Sequence, residues 1–72
     1  MNDVQLFIRI GDNIRTIREG KGFSQQDVAA MCNFEKSNMS RIEAGRTNIT
    51  VKNAYKISVA LGVKLYEIFD VE

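Results

Sequence analysis

Apolar residues near the start of the chain recur three and four apart. Leu6, Phe7, Ile10, Ile14 and Ile17 form one stripe between about Val4 and Glu19. That period belongs to a helix buried along one face. Gly20-Lys21-Gly22 ends it, and Phe23 is expected to reach back into the core. Ser24 suits an N-cap, and Asp27 three residues on resembles a capping box with a shortened acid. Val28, Ala29 and Met31 then supply the inward face of a short helix closing near Cys32. Asn33 tolerates the left-handed backbone that stops a helix. A third helix is predicted from about Glu35 to Ala44, with Met39 and Ile42 inward and Gly45 as its stop. Thr50 caps a fourth, Val51 to Leu61, whose inward set is Val51, Ala54, Tyr55, Ile57 and Leu61. Gly62 ends it, and a last turn from Leu65 to Phe69 contributes Leu65, Ile68 and Phe69. The pattern predicts an all-α fold of five short helices, without strands, forming a single domain over residues 1–72.

Length and composition narrow the chemistry. Seventy-two residues allow one thin core. No apolar run approaches the ~20 residues of a membrane span, and the N-terminus shows no secretion signal. A lone cysteine, Cys32, forms no internal disulfide, in keeping with a reducing cytoplasm, and no basic residue flanks it in sequence. Histidine is absent, which removes Ser-His and Cys-His nucleophile activation and leaves one Cys and carboxylates as the only metal ligands. Met31 and Met39 read as core packing rather than a thioether metal site. No enzyme activity, cofactor or metal is expected.

The net charge of +1 conceals an asymmetry. Residues 36 to 64 carry Lys36, Arg41, Arg46, Lys52, Lys56 and Lys64 against Glu43 alone, whereas the remainder holds four basic and eight acidic residues. A basic middle beside an acidic end fits a domain that binds phosphates with one face. By itself it fits a solvated surface equally well.

The spacing between Gln25 and Ile42 separates these readings. Two helices joined by a three- or four-residue turn cross steeply and need a small residue at the crossing, here Ala29. The turn needs a residue at ease with positive φ, here Asn33. The second helix needs apolar residues three apart beneath it, here Met39 and Ile42. Lys36, Ser37, Asn38, Ser40 and Arg41 are left pointing away.

Ile10-Gly11-Asp12-Asn13-Ile14-Arg15, Ser24-Gln25-Gln26-Asp27-Val28-Ala29 and Ser40-Arg41-Ile42-Glu43-Ala44-Gly45-Arg46 together resemble the Cro/cI-type phage-repressor helix-turn-helix family, also called the XRE family. The likeness spans roughly residues 8 to 69, with the motif at about 24–45. It implies a five-helix DNA-binding domain that acts in transcription regulation. By position, Lys36, Ser37 and Arg41 match the base-reading set, and Gln25, Asn38 and Arg46 match contacts to backbone phosphates. Arg18 and Glu43 match an internal ion pair. Three positions depart from the family pattern: Asn33 replaces a turn glycine, Glu35 is a poor cap for the recognition helix, and Ile49 replaces a common proline.

One such domain touches few base pairs, so the family likeness implies a two-fold dimer reading two half-sites of a palindromic operator in double-stranded DNA. With the chain closing three residues after Phe69, the dimer seam is expected on the domain's own fourth and fifth helices, around Val59, Val63 and Tyr66. Glu43 to Arg46 and the following Thr47-Asn48-Ile49-Thr50 look similar to restriction-modification controller proteins. The alternatives are an antitoxin, with a toxin partner, or a protein-interaction module that keeps the fold without binding DNA.

Overall fold

The computed structural model describes residues Met1 to Glu72. Five helices follow one another: α1 (Asp3–Gly20), α2 (Gln25–Cys32), α3 (Lys36–Glu43), α4 (Val51–Leu61) and α5 (Leu65–Ile68). This is the five-helix, strand-free architecture expected from the periodicity. α3 packs on both α2 and α1, while α4 sits against α2 and α5 and α5 closes back on α1.

Local chemistry explains each boundary. Asn2 accepts from the Gln5 amide at 2.9 Å and the Gln5 side chain accepts from Asn2 N–H at 3.1 Å, which starts α1. Ser24 and Asp27 make the same reciprocal pair at the start of α2, at 3.0 and 2.9 Å. Asn33 ends α2 at φ 58°. Thr50 caps α4 through the Asn53 amide at 3.1 Å. Glu35 occupies the N-cap of α3 without a side-chain bond, so that helix start is held by packing instead.

The core gathers one face of every helix. Ile14 of α1, Val28 of α2, Met39 of α3, Ala54 and Ile57 of α4 and Ile68 of α5 have no solvent exposure. α5 is a single turn, too short to be stable alone. Asn13 steadies its end by donating to the carbonyls of Glu67 and Ile68 at 2.7 and 2.9 Å.

Two glycines set how α1 meets the end of α3. A methyl group on Gly11 would lie 2.5 Å from the carbonyl oxygens of both Ile42 and Glu43, atoms that cannot swing aside. Gly45 takes φ 71°, and a side chain there would also strike the Ile8 backbone at 2.6 Å. These are close approaches of main chain to main chain, which only glycine permits.

The buried polar centre is a three-helix junction. Arg18, from the last turn of α1, donates through Nε to Glu43 Oε2 at 2.6 Å and through Nη2 to Oε1 at 2.9 Å. Its Nη1 donates to the Phe23 carbonyl at 2.8 Å, holding the loop before α2. Gln25, the first residue of α2, donates to Glu43 Oε1 at 3.0 Å. The bond to Glu43 raises the Arg18 pKa above its ordinary value, with burial pulling the other way. No buried side-chain nitrogen or oxygen is left without a partner.

The structure corrects the expected placement of Met31, Val51, Tyr55 and Phe69. Met31, read as core, is 49% exposed. Val51 and Tyr55, read as inward on α4, are 67% and 57% exposed, because α4 buries Ala54, Ile57, Ser58 and Leu61 instead. Phe69 lies at the core margin rather than inside it. Cys32 is buried, which pushes its thiol pKa up, but the fold brings Lys56 of α4 near enough to oppose that rise.

Removing one partner of a buried, hydrogen-bonded pair strands the other, at a cost of about 3–5 kcal/mol. Glu43→Ala should therefore lower the melting temperature steeply in calorimetry, and an unchanged melting temperature would contradict the junction's role. A second expectation concerns acid. The Ser24 amide and hydroxyl hold the Asp27 carboxyl below its ordinary range, so the folded state binds that proton less readily than the unfolded one. Its stabilisation is present at neutral pH and is lost as pH falls below about 4. Urea titrations between pH 6 and 2 should show less acid sensitivity in Asp27→Asn than in the parent chain.

Candidate nucleic-acid interface

α3 is an eight-residue rod with two chemically distinct sides. At 100° per residue, Lys36, Ser37, Ser40, Arg41 and Ala44 fall within an arc of roughly 140°. All five are exposed. Met39, Ile42 and Glu43 lie on the opposite side and are buried, with Asn38 half-buried at the boundary. α2 lies behind, so the outer arc stands clear of the rest of the domain.

Charge on this face is one-signed because of the junction beneath it. Glu43, the one acid between residues 36 and 64, points inward and is neutralised by Arg18 from outside that stretch. The chain's other ion pair joins Arg15 to Asp12 on α1. Lys36, Arg41 and Arg46 therefore have no acidic partner, and their long side chains are available to an external anion. Glu35, at the N-cap of α3, is the nearest exposed acidic position along the chain.

The other candidate residues sit around α3 in different settings. Arg46 is exposed just past Gly45, its amide bonded to the Arg41 carbonyl at 3.0 Å. Gln25 is half-buried at the beginning of α2, and its bond to Glu43 fixes the side chain beside the end of α3. Val59 and Tyr66 are 60% and 68% exposed on α4 and α5, and Val63 between them is partly buried. These three lie apart from the basic residues of α3 along the chain, on α4, on α5 and in the turn between them.

Sequence reasoning placed Val59 outward but missed that Val51 and Tyr55 share its exposed row on α4. Val51, Tyr55 and Val59 recur every four residues on its solvent side, and Met31 of α2 borders a shallow groove with Tyr55, Val59 and Ala60. The i, i+4 spacing was visible in the sequence. Its direction was not, because Ala54 and Ile57 offer a competing stripe on the same helix, roughly a third of a turn away. Lys56 lies over the Phe34 ring at 5.8 Å, a cation–π contact that no local pattern announces.

No helix is long and apolar enough to cross a membrane, and no group of three or more His, Cys, Asp or Glu residues is placed to hold a metal ion.

The arrangement of a capped α2, a left-handed turn and an α3 with an outward basic face has close counterparts. The family model HTH_3, described as helix-turn-helix, matches residues 14–68. The control protein C.MunI of a Mycoplasma species is 38% identical over 74 aligned residues, spanning 100% of this chain and 97% of that one. The control protein C.BamHI of Bacillus amyloliquefaciens is 36% identical over 70, spanning 96% and 84%. The crystal structure of the restriction-modification controller protein C.AhdI from Aeromonas hydrophila superposes with a TM-score of 0.85 at 28% identity, covering 88% of this chain and 96% of that one. The chain belongs to the HTH_3 helix-turn-helix family, the XRE type of DNA-binding transcription regulators.

Proposed function

We propose that this chain is a restriction-modification control protein that binds a palindromic operator as a homodimer, one α3 entering the major groove at each half-site. The observation that carries the reading is the outward, unpaired Lys36, Ser37 and Arg41 over a buried Met39 and Ile42. An α-helix fits the major groove, where guanine offers O6 and N7 to Lys or Arg. Lys36 and Arg41 are assigned to guanine edges and Ser37 to an adjacent base. Asn38, Arg46 and Gln25 are assigned to backbone phosphates, which set register and affinity more than sequence preference. The similarity to C.MunI and C.BamHI over nearly the whole chain supports the control-protein reading above the antitoxin or interaction-module alternatives.

A single α3 of eight residues reads too little sequence for useful specificity, and two-fold pairing supplies the second half-site one helical turn away. Val59, Val63 and Tyr66 are assigned to that seam, since α4 and α5 expose apolar side chains and carry none of Lys36, Arg41 and Arg46. Packing them against a second copy removes this apolar surface from water.

Selection of bound duplexes from a random pool tests the reading as a whole. A two-fold-symmetric consensus is expected, and recovery of no enriched sequence would refute it. Arg41→Ala and Lys36→Ala should each cost about 1–3 kcal/mol and relax preference at one guanine position. Arg46→Ala should weaken all duplexes alike and reduce the salt slope by about one. Gel shifts over a salt series separate these outcomes. Tyr66→Asp should give a folded monomer with lost operator affinity, and sedimentation showing an unchanged dimer would reject the seam.

A further inference from the structure

A second feature lies away from the groove-facing side of α3. A cavity of about 280 Å³ opens between the N-terminal half of α1, the underside of α3, the Thr47–Val51 segment and Phe69. Ile10 and Ile42, both core residues, form part of its wall, so it reaches the interior rather than merely denting the surface. Phe7, Ile49 and Phe69 supply further apolar wall.

We propose that this cavity is a binding site for a neutral, mainly apolar small molecule of one or two rings carrying a single hydrogen-bonding group. Size sets the first limit. A dry apolar cavity of about 150 Å³ holds benzene, whereas pockets for drug-sized ligands begin near 300 Å³. A volume of about 280 Å³ therefore suits an occupant larger than benzene and smaller than a typical drug. Charge sets the second limit. No charged residue lines the cavity, so an ionised ligand would lose its hydration without a counter-charge.

The third limit comes from the polar end. Thr47 and Asn48 line the cavity, and neither side chain is hydrogen-bonded within the chain. The amides of Thr47, Asn48 and Ile49 likewise have no backbone carbonyl partner. A polar group on the ligand is thus matched at this one end, whereas one placed elsewhere would meet apolar wall. The site uses none of Lys36, Ser37, Arg41, Val59, Val63 or Tyr66. It is therefore independent of the assignments made for DNA and for the dimer seam.

Indole, neutral and bicyclic with one N–H, is the probe. Binding to the folded state alone should raise the melting temperature with the logarithm of indole concentration, by about 4–8 °C at fivefold excess over Kd. Benzoate, charged at neutral pH, should raise it far less. Amide and methyl NMR shifts on indole addition should concentrate at Ile10, Ile42, Ile49 and Phe69. Val51 stands at the rim and is itself exposed, so Val51→Trp fills the mouth without touching the core, and it should abolish the response. Shifts confined to Met31 and Tyr55, an equal response in Val51→Trp, or NMR shifts that do not saturate would each overturn the site. So would indole binding that disappears as protein concentration rises, because a second copy would then be the occupant. The wild-type shift map decides the matter even if Val51→Trp folds poorly.

Discussion

Everything on the outward basic side of α3 depends on one buried carboxylate. Glu43 ends α3, yet its two oxygens are held by Arg18 from α1 and by Gln25 from α2. An eight-residue helix has little stability of its own, and α3 lacks even a side-chain cap at its start. Its position is imposed from below, by Met39 and Ile42 in the core and by this three-way junction at its end. Gly11 and Gly45 complete the constraint by letting α1 come into main-chain contact with the same end.

The junction also determines electrostatics. Were Glu43 on the surface, it would cancel part of the charge that Lys36, Arg41 and Arg46 present. Turned inward and paired, it leaves the outer arc of α3 positive although the whole chain is nearly neutral. Structural and functional demands therefore meet at one residue. The ion pair is less a source of stability than a means of fixing orientation, since apolar replacements of buried pairs are often no less stable.

Much of this was legible in the sequence because the signals were local and mutually consistent. Ser24 with Asp27, Asn33, Gly45 and Thr50 mark helix ends by chemistry that acts within four residues. Met39 and Ile42 mark the underside of α3 by spacing alone. The family resemblance supplied the Arg18–Glu43 match, which no spacing argument reaches across 25 positions. What stayed hidden was the rotation of helices with more than one apolar stripe. On α4, Val51 and Tyr55 compete with Ala54 and Ile57, and tertiary packing chose the smaller pair to let α2 and α5 approach. Met31 followed the same logic on α2, where Val28 and Ala29 already fill the contact. The cavity beside Phe69 and the approach of Lys56 to Cys32 depend on segments far apart in the chain, and so had no sequence signature.

On the proposed reading, a small helix oriented from beneath offers its basic face to the major groove. Dimethyl sulfate footprinting on a bound duplex tests it most directly, since guanine N7 is reached only through that groove. Two clusters of protected guanines centred about one helical turn apart are expected. Binding that leaves every guanine N7 reactive, with protection confined to minor-groove adenine N3, would contradict it.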